Sequence, residues 1–352
     1  MYAPPNPPSN HEFGFPGFRV ESTPDIGSNY LFKNKWSHGM ARKLCENVEK
    51  VIMRYFILDD SGSMAHDDGQ KLFRFGDSVR AAKCSRWEEL KATTEFHLHC
   101  AKSLNAPSDF RFLNALTPKR VGISDMDPDD TNLRAVSRVF EESPRGQTPL
   151  CEHIRAVVNE ITRNANALKE NNALAAVIII TDGDASDGDV ARAMQPLAKL
   201  PCLVVVRLCT DEEHVVNYWN NVDSQLELEL DILDDLMGEA KEVYDANPWI
   251  VYSEALHRMR EFGMRMKEMD LLDEKKLTTE QMLSVVSMLL GCKKSDLPHP
   301  NADFNEFIKE VKVKMTPEPM VYNTITARME TILNLSLLRK FYDPNGGCCS
   351  IS

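Results

Sequence analysis

Oxygen-bearing side chains follow directly after an apolar run near residue 55. The run YFIL at residues 55–58 is followed at once by DDSGS at residues 59–63. Asp59, Ser61 and Ser63 form a D-x-S-x-S spacing, which places three oxygen-bearing side chains along one side of a turn. Carboxylates and hydroxyls are hard ligands of the kind that Mg²⁺ prefers, and the cluster contains no soft ligand. The pattern therefore indicates a site for a hard divalent cation.

Two further polar segments lie later in the chain, each beside a predicted element. The loop GQTPL at residues 146–150 places Thr148 just before a helix, and TDG at residues 181–183 follows a second long apolar run. Each also has an ordinary structural interpretation, because Thr148 before Pro149 makes a good N-cap with proline at the first helical position. Asp182 before glycine is likewise typical of a turn. Together the three segments predict one metal site, formed by Asp59, Ser61, Ser63, Thr148 and Asp182.

Buried strands alternate with amphipathic helices from about residue 48 onward. Continuous apolar runs predict buried strands at 51–58, 175–180 and 202–208. Short strands are predicted as an edge pair at 110–113 and 120–123, and helices at 85–104, 133–142, 150–168, 189–200 and 226–244. This alternation argues for an α/β fold with a doubly wound, mostly parallel central sheet. The loops at the carboxyl ends of such strands meet at a switch point, which is where ligands bind.

Composition and pattern divide the chain into four segments. Residues 1–47 have a proline-rich start and predict a largely disordered arm. Residues 48–245 carry the strand–helix alternation and form the predicted α/β domain. Residues 246–342 predict a smaller helical region, in which the capping box Thr278-x-x-Gln281 opens a helix. Residues 343–352 predict a flexible tail.

The overall composition is that of an ordinary soluble protein with an acidic balance. The 352 residues include 41 Lys and Arg against 53 Asp and Glu, a net charge of −12 at pH 7. No basic stripe is available to bind a phosphate backbone, so we expect no nucleic-acid partner. No apolar run is long enough to span a bilayer and no signal-peptide core is present, so we expect a cytoplasmic protein. The nine cysteines contain no C-x-x-C pair and predict reduced thiols.

The three polar segments resemble the metal-ion-dependent adhesion site (MIDAS) of von Willebrand factor type A (vWA) domains, which have a Rossmann-like fold. The D-x-S-x-S, G-x-T-P-L and T-D-G segments occur in the right order within the predicted α/β domain. The resemblance implies that Ser61, Ser63 and Thr148 contact Mg²⁺ or Mn²⁺ directly or nearly so. It also implies that Asp59 and Asp182 hold the ion through water or tune it from just outside its ligands.

The resemblance further implies how the metal is used. In the family, one coordination position stays open and accepts an acidic side chain from a partner protein. We therefore expect an intracellular, metal-dependent protein-binding module, for adhesion or scaffolding, whose partner presents Asp or Glu.

The alternative function is a metal-assisted hydrolase that uses the same ion. Hydrolysis needs a base as well as the metal, and only His66 lies in a loop near the predicted site. Asp59-Asp60 also lacks the Asp-x-Asp pattern of haloacid dehalogenase phosphatases, because residue 61 is serine. We therefore expect no enzyme activity.

The last four residues, CSIS at 349–352, match a C-a-a-X sequence of the class associated with farnesylation, although Ser350 is not aliphatic. Cys349 is the predicted farnesylation site, and Cys348 is a predicted palmitoylation site that would supply a second anchor. The alternative is an unmodified, cysteine-bearing tail. Without a lipid, the acidic balance predicts no attachment to anionic membranes.

Three other polar runs are predicted to be structural. Residues 125–130 lack the glycine and the closing glutamate of an EF-hand loop, and predict an exposed acidic loop. Residues 66–68 follow the cluster and could rim the site, but they are better interpreted as a solvated loop. Asp184, Asp187 and Asp189 predict the start of a helix, where the helix dipole favours acidic side chains.

Overall fold

In the part of the chain that the structure describes, a six-stranded sheet lies at the centre and packs against two hydrophobic cores. The computed structural model describes residues 24–76, 78–123, 127–210, 212–228, 230–264 and 266–343. The strands are β1 Val51–Leu58, β2 Gly69–Phe75, β3 Ser78–Cys84, β4 Ser108–Phe112, β5 Lys119–Val121, β6 Leu174–Thr181, β7 Cys202–Leu208, β8 Leu230–Leu233, β9 Val321–Asn323 and β10 Arg328–Glu330. The α-helices are α1 Pro24–Lys33, α2 His38–Lys50, α3 Arg86–Ser103, α4 Thr131–Val139, α5 Leu150–Glu170, α6 Val190–Met194, α7 Glu213–Gln225, α8 Leu236–Ala246, α9 Glu254–Glu261, α10 Thr279–Leu289, α11 Phe304–Met315 and α12 Leu335–Tyr342. Short 3₁₀ turns occupy Gly62–Ala65, Gln195–Lys199 and Lys294–Asp296.

The strand order of the central sheet is β5-β4-β1-β6-β7-β8. β1 pairs in parallel with both β4 and β6, the parallel pairing continues through β7 to β8, and β5 runs antiparallel at the edge. The predicted mixed α/β fold with a mostly parallel central sheet is therefore confirmed. After β1 the chain builds β4 and β5 on one side and then crosses to β6 on the other. The strand order consequently reverses between β1 and β6, which makes this the switch point of the sheet.

Alternate residues of β1 face two different hydrophobic cores. Phe56 and Leu58 belong to the core that α2, α3 and the helices after β8 cover. Tyr55 and Ile57 belong to the core on the opposite face, which α5, α6 and α7 cover. Burial on both faces explains why the central strands are continuous apolar runs in the sequence.

The N-terminal segment differs from the predicted disordered arm. The described part of residues 1–47 contains α1 and most of α2, so the prediction is wrong for residues 24–47. Trp36, Met40 and Leu44 recur every four residues and are fully buried in the same core as Phe56. This helical apolar stripe drives the segment onto the sheet despite the prolines that precede it. Residues 1–23 lie outside the described residues.

The described part of residues 246–342 is mostly helical and also contains the small hairpin β9–β10. Trp249, Leu256 and Phe262 are fully buried and join the core that covers one face of the sheet. The predicted capping box at Thr278 is present at the start of α10. The domain boundary after residue 245 stays a prediction. None of the described helices is long and apolar enough to cross a membrane.

Two elements of the structure differ from or add to the predicted ones. The predicted helix at 226–244 is confirmed for residues 236–244 and wrong for residues 226–235, because β8 comes first and α8 begins only after Asp235, whose carboxylate caps that helix. The sequence LELELDIL at residues 226–233 alternates with a period of two, which is the pattern of a strand. The antiparallel hairpin β2–β3 was not predicted, and Gly76 forms its turn with a positive φ of 59°.

Candidate metal centre

The candidate site lies where β1 and β6 end side by side at the switch point. Leu58 of β1 pairs with Ile180 of β6, so Asp59 and Asp182 leave the sheet at the same edge. The backbone N–H of Asp59 donates to the carbonyl of Ile180 at 2.9 Å. The Thr181 hydroxyl donates to Asp59 Oδ2 at 2.6 Å. These bonds fix the relative positions of the two polar loops.

Four of the five predicted site residues form one hydrogen-bonded cluster. Asp59 Oδ1 accepts from the Ser61 backbone N–H at 2.9 Å, and the Ser61 and Ser63 hydroxyl oxygens lie 3.0 Å apart. Ser63 Oγ donates to Asp182 Oδ1 at 2.9 Å, and this hydrogen bond joins two residues that are 119 positions apart in sequence. We call this set, Asp59, Ser61, Ser63 and Asp182, the strand-end cluster. Its donor atoms are the hard oxygens that the sequence predicted.

Thr148 lies on the neighbouring loop rather than within these bonds. The loop adjoins the cluster, because the Gly62 N–H donates to the Gly146 carbonyl at 3.2 Å. The Thr148 backbone N–H donates to Ser186 Oγ at 3.2 Å, and the Thr148 carbonyl accepts from the Ser186 N–H at 2.9 Å. Thr148 is half-buried. The structure thus places it at the rim of the strand-end cluster, with Ser186 as its hydrogen-bond partner.

The start of α5 is capped from another loop. The Asp187 carboxylate accepts from the backbone N–H groups of Cys151 and Glu152 at 3.0 and 2.8 Å. The prediction that Thr148 caps this helix is therefore wrong, since Pro149 occupies the N-cap position and Asp187 supplies the capping oxygens. The acidic run after β6 serves two helices, because Asp189 caps α6 as predicted.

Asp60, the second acid of the DDSGS segment, organises the surrounding loops. Its carboxylate Oδ1 accepts from the Asn114 backbone N–H at 2.8 Å and from Asn114 Nδ2 at 2.9 Å. Its carbonyl accepts from the Arg145 N–H at 2.8 Å. Asn114 Nδ2 also donates to the Gln147 carbonyl at 2.8 Å. Asp60 therefore holds the loop that carries Thr148 against the end of β4.

Arg86, at the start of α3, is a site residue that the sequence reasoning missed. Its guanidinium donates to Asp182 Oδ2 at 2.9 Å and to Asp68 Oδ1 at 2.6 Å, and it also contacts Glu212. Burial alone would lower the pKa of Arg86, but the hydrogen bonds to these three carboxylates raise it above its usual range. Residue 68, predicted to lie in a solvated loop, instead anchors this cation. The negative charge of Asp182 is consequently matched within the protein.

Asp59 has no such counter-ion. It is fully buried, and no cationic side chain among the described residues forms an ion pair with it. Burial raises the pKa of Asp59 to about 6, although hydrogen bonds from Ser61 and Thr181 oppose this shift. A buried carboxylate is stabilised by a bound or paired cation. The uncompensated charge of Asp59 and the hard-oxygen donor set therefore fit a small divalent cation.

A second group of acids has a different character. Glu239, Glu242 and Asp273 bring carboxylate oxygens within 4.8 Å of one another. Arg260 Nη1 already donates to Glu239 Oε2 at 2.6 Å, and Arg260 Nη2 lies 3.8 Å from Asp273. This group is therefore an internally paired ion cluster rather than a second candidate metal centre.

Two predictions fall on residues that the structure does not describe. The predicted lipidation sites Cys348 and Cys349 lie outside the described residues, as do the first two residues of the acidic run 125–130. Within the described part of that run, the Asp127 carboxylate accepts from the Asn132 N–H at 3.0 Å, next to the start of α4.

Comparison with known proteins does not assign the chain to a family. No family model matches it, and no curated protein matches it. Among solved structures, it is similar to the crystal structure of conserved hypothetical protein BatB from Bacteroides thetaiotaomicron. The match has a TM-score of 0.36 and 14% sequence identity, and covers 59% of this chain and 98% of that chain. At this TM-score the likeness carries no argument about fold or function.

Proposed function

We propose that the chain is a vWA-type protein-binding module that uses Mg²⁺ or Mn²⁺ at the strand-end cluster. The single observation that carries the proposal is the chain of hydrogen bonds from Asp59 through Ser61 and Ser63 to Asp182 at the switch point. Thr148 completes the site from its rim. The order of the three sequence segments supports the vWA assignment, and the hard-oxygen donor set supports the choice of metal.

Electrostatics support a carboxylate as the partner group. When bound, the ion supplies a large local positive charge and a coordination position for an external oxygen. Asp59 is the one carboxylate of the cluster without an internal cation, because Arg86 already pairs with Asp182. Asp59 alone would therefore leave an ion held there under-neutralised, and an Asp or Glu side chain of a partner protein would supply the further negative charge.

The protein's own residues prepare the cluster before an ion arrives. Thr181 holds Asp59, and Arg86 holds Asp182, so both carboxylates are fixed on rigid strand ends. The backbone N–H of Ser61 fixes the other oxygen of Asp59. A site of this kind loses little conformational freedom on binding, which favours affinity.

The test is a calorimetric Mg²⁺ titration of the wild type and Asp59→Ala. We expect Asp59→Ala to weaken Mg²⁺ binding by about 100-fold or more while circular dichroism shows an intact fold. Asp67→Ala is the matched control, because Asp67 is an exposed acid close to the cluster. Equal Mg²⁺ affinity in the wild type and Asp59→Ala would refute the metal site.

The partner mode is tested separately. A partner captured in Mg²⁺ should be released by excess EDTA, and replacing its contacting Asp or Glu by Ala should abolish capture. A partner that binds fully in EDTA would contradict the metal-bridged mode without contradicting the fold.

We further propose that the module is cytoplasmic and is attached to a membrane through the C-terminal tail. The CSIS terminus supports farnesylation at Cys349 and, with palmitoylation at Cys348, a stable two-chain anchor. Fractionation of the wild type and Cys349→Ser in the native host, with intact-mass analysis of the C-terminal peptide, tests this. An unmodified peptide and equal solubility of both forms would refute lipidation.

A further inference from the structure

The hairpins β2–β3 and β9–β10 lie side by side, outside the central sheet. The backbone N–H of Ala81 donates to the Tyr322 hydroxyl at 3.4 Å. Residues of both hairpins line a cavity of about 380 Å³ between them. We call the two hairpins and the adjoining Lys33 and Lys35 the two-hairpin surface.

Exposed apolar side chains concentrate on this surface. Among the described residues, four of the six exposed large hydrophobic side chains lie on or directly beside the two hairpins. They are Phe75, 61% exposed, Met320, 44%, Ile325, 41%, and Met329, 36%. Phe75 directly precedes the Gly76 turn of its hairpin, and Ile325 lies in the turn between β9 and β10. The apolar groups thus occupy the turns and edges, where they reach outward.

Cations that form no ion pair within the described residues flank these apolar groups, and the Arg80 guanidinium lies 5.6 Å from the centre of the Phe75 ring. Lys33 and Lys35 are exposed and line the cavity, and Arg80 and Arg328 are exposed on the two hairpins. No carboxylate pairs with any of the four in the part of the chain that the structure describes. Arg74 also lines the cavity and pairs with Glu254 at 2.5 Å. This concentration of cations stands out on a chain whose net charge is −12.

We propose that the two-hairpin surface binds the headgroup region of an anionic phospholipid bilayer. Apolar side chains at protruding turns enter the boundary between headgroups and acyl chains, while the flanking cations attract anionic lipid. A nucleic acid would use the cations and would stack a base only on Phe75, so that Ile325 and Met329 would stay in water. An acidic peptide would use the cations and leave the apolar turns in water. The surface therefore supplies membrane affinity independent of Cys348 and Cys349, contrary to the expectation from net charge alone.

The test is co-sedimentation of the full chain with phosphatidylcholine vesicles, with and without phosphatidylserine. The protein is purified from bacteria, which attach no farnesyl chain. We expect binding only to the phosphatidylserine vesicles, and weaker binding as salt screens the charges. Phe75→Ser and the double variant Lys33→Gln/Lys35→Gln should each lower binding by roughly tenfold.

Helix α11 supplies matched controls on another face. Val313→Ser removes an apolar side chain that is 59% exposed, and Lys312→Gln/Lys314→Gln removes two cations. Both controls should bind like the wild type. The proposal is overturned if the wild type fails to bind, if both vesicle types bind equally, or if the α11 variants lose as much binding as the hairpin variants. Capture by polyglutamate or duplex DNA without vesicle binding would also overturn it and would identify the other class of ligand.

Discussion

Two clusters of charged side chains lie beside α3, and their charges are balanced in different ways. In the strand-end cluster, Arg86 pairs with Asp182, whereas Asp59 has no cationic side chain as a partner among the described residues. Ser63 is half-exposed, so the cluster reaches the protein surface. A cation from solution can therefore reach the Ser63 hydroxyl, whereas Asp59 itself is fully buried.

The second cluster surrounds Glu261 at the end of α9, and we call it the α9 network. Glu261 Oε2 lies 2.8 Å from Arg258 Nη1 and 3.0 Å from His97 Nε2, and Glu261 Oε1 lies 3.3 Å from Arg207 Nε. His257 Nε2 also lies 3.3 Å from Glu261. Burial would raise the pKa of Glu261, but the charge of Arg258 and hydrogen bonds from His257 and His97 hold it well below its usual range. All five side chains are buried, so the network is closed to solvent.

The difference shows which buried charges indicate a binding site. Both clusters contain groups whose pKa values are strongly shifted. Such shifts are common at functional sites, so a pKa shift by itself suggests function. The α9 network satisfies its carboxylate with its own cations, and it joins α3, β7 and α9 as a structural unit. In the strand-end cluster, one carboxylate, Asp59, has no cationic partner among the described residues. An uncompensated carboxylate bonded through its neighbours to a half-exposed donor such as Ser63 is thus the better indicator of a ligand.

The largest expected effect separates the two clusters by stability. Glu261→Gln removes the buried carboxylate that Arg258 and Arg207 share, which leaves Arg207 with Glu89 and Arg258 with the more exposed Glu254. It should lower the free energy of unfolding by about 3 kcal/mol. Glu306→Gln is the matched control, since its pair with Lys309 is exposed and contributes little. Urea unfolding of the two variants measures the difference. Equal midpoints would show that the α9 network is not structural.

A smaller effect is expected from the cation of the strand-end cluster. Arg86→Gln leaves Asp182 buried and unpaired, and should cost about 2 kcal/mol of stability without Mg²⁺. It should also raise Mg²⁺ affinity by roughly tenfold, because it removes a positive charge beside the dication. Arg145→Gln is the control, since Arg145 is exposed in the nearby loop. Unchanged Mg²⁺ affinity in Arg86→Gln would show that the guanidinium does not act on the ion.

The α9 network should also make stability depend on pH. Burial lowers the pKa values of His97 and His257 below the ordinary value of 6.5. Below pH 6.5 the unfolded chain binds protons that the folded chain does not, so the free energy of unfolding falls as pH falls through this value. The groups that face the two histidines are Glu261, Arg258 and the Tyr252 hydroxyl, and this hydroxyl lies 3.2 Å from His257 Nδ1.

The measurement is the free energy of unfolding of each variant as a function of pH, and the slopes of these curves are compared. His257→Gln removes one titrating group and should flatten the dependence by up to about 1.4 kcal/mol per pH unit below pH 6.5. His214→Gln is the control variant, because its imidazole is exposed and lies outside the α9 network. Curves for wild type and His257→Gln that stay parallel from pH 7 to pH 5 would contradict the assignment.

The sequence predicted the strand-end cluster because its parts are local patterns. The D-x-S-x-S spacing follows a continuous apolar run, and parallel pairing then brings Asp182 to the same edge. Arg86 and the α9 network could not be predicted, since their partners lie far apart in sequence and meet only through packing of α3 and α9. The error at 226–233 is different, because the alternating pattern of a strand was present there.

The smallest expected effect distinguishes binding from structure at the rim of the strand-end cluster. Asp187→Ala removes the oxygens that cap α5 and should cost about 1 kcal/mol of stability, with Mg²⁺ affinity nearly unchanged. Thr148→Ala removes no helix cap, so its stability should stay within about 0.5 kcal/mol of the wild type. Its Mg²⁺ affinity should fall if the Thr148 hydroxyl completes the site. Urea unfolding and calorimetric titration of both variants give four values. Loss of stability without loss of affinity in Thr148→Ala would remove Thr148 from the metal centre and leave the strand-end cluster as the whole site.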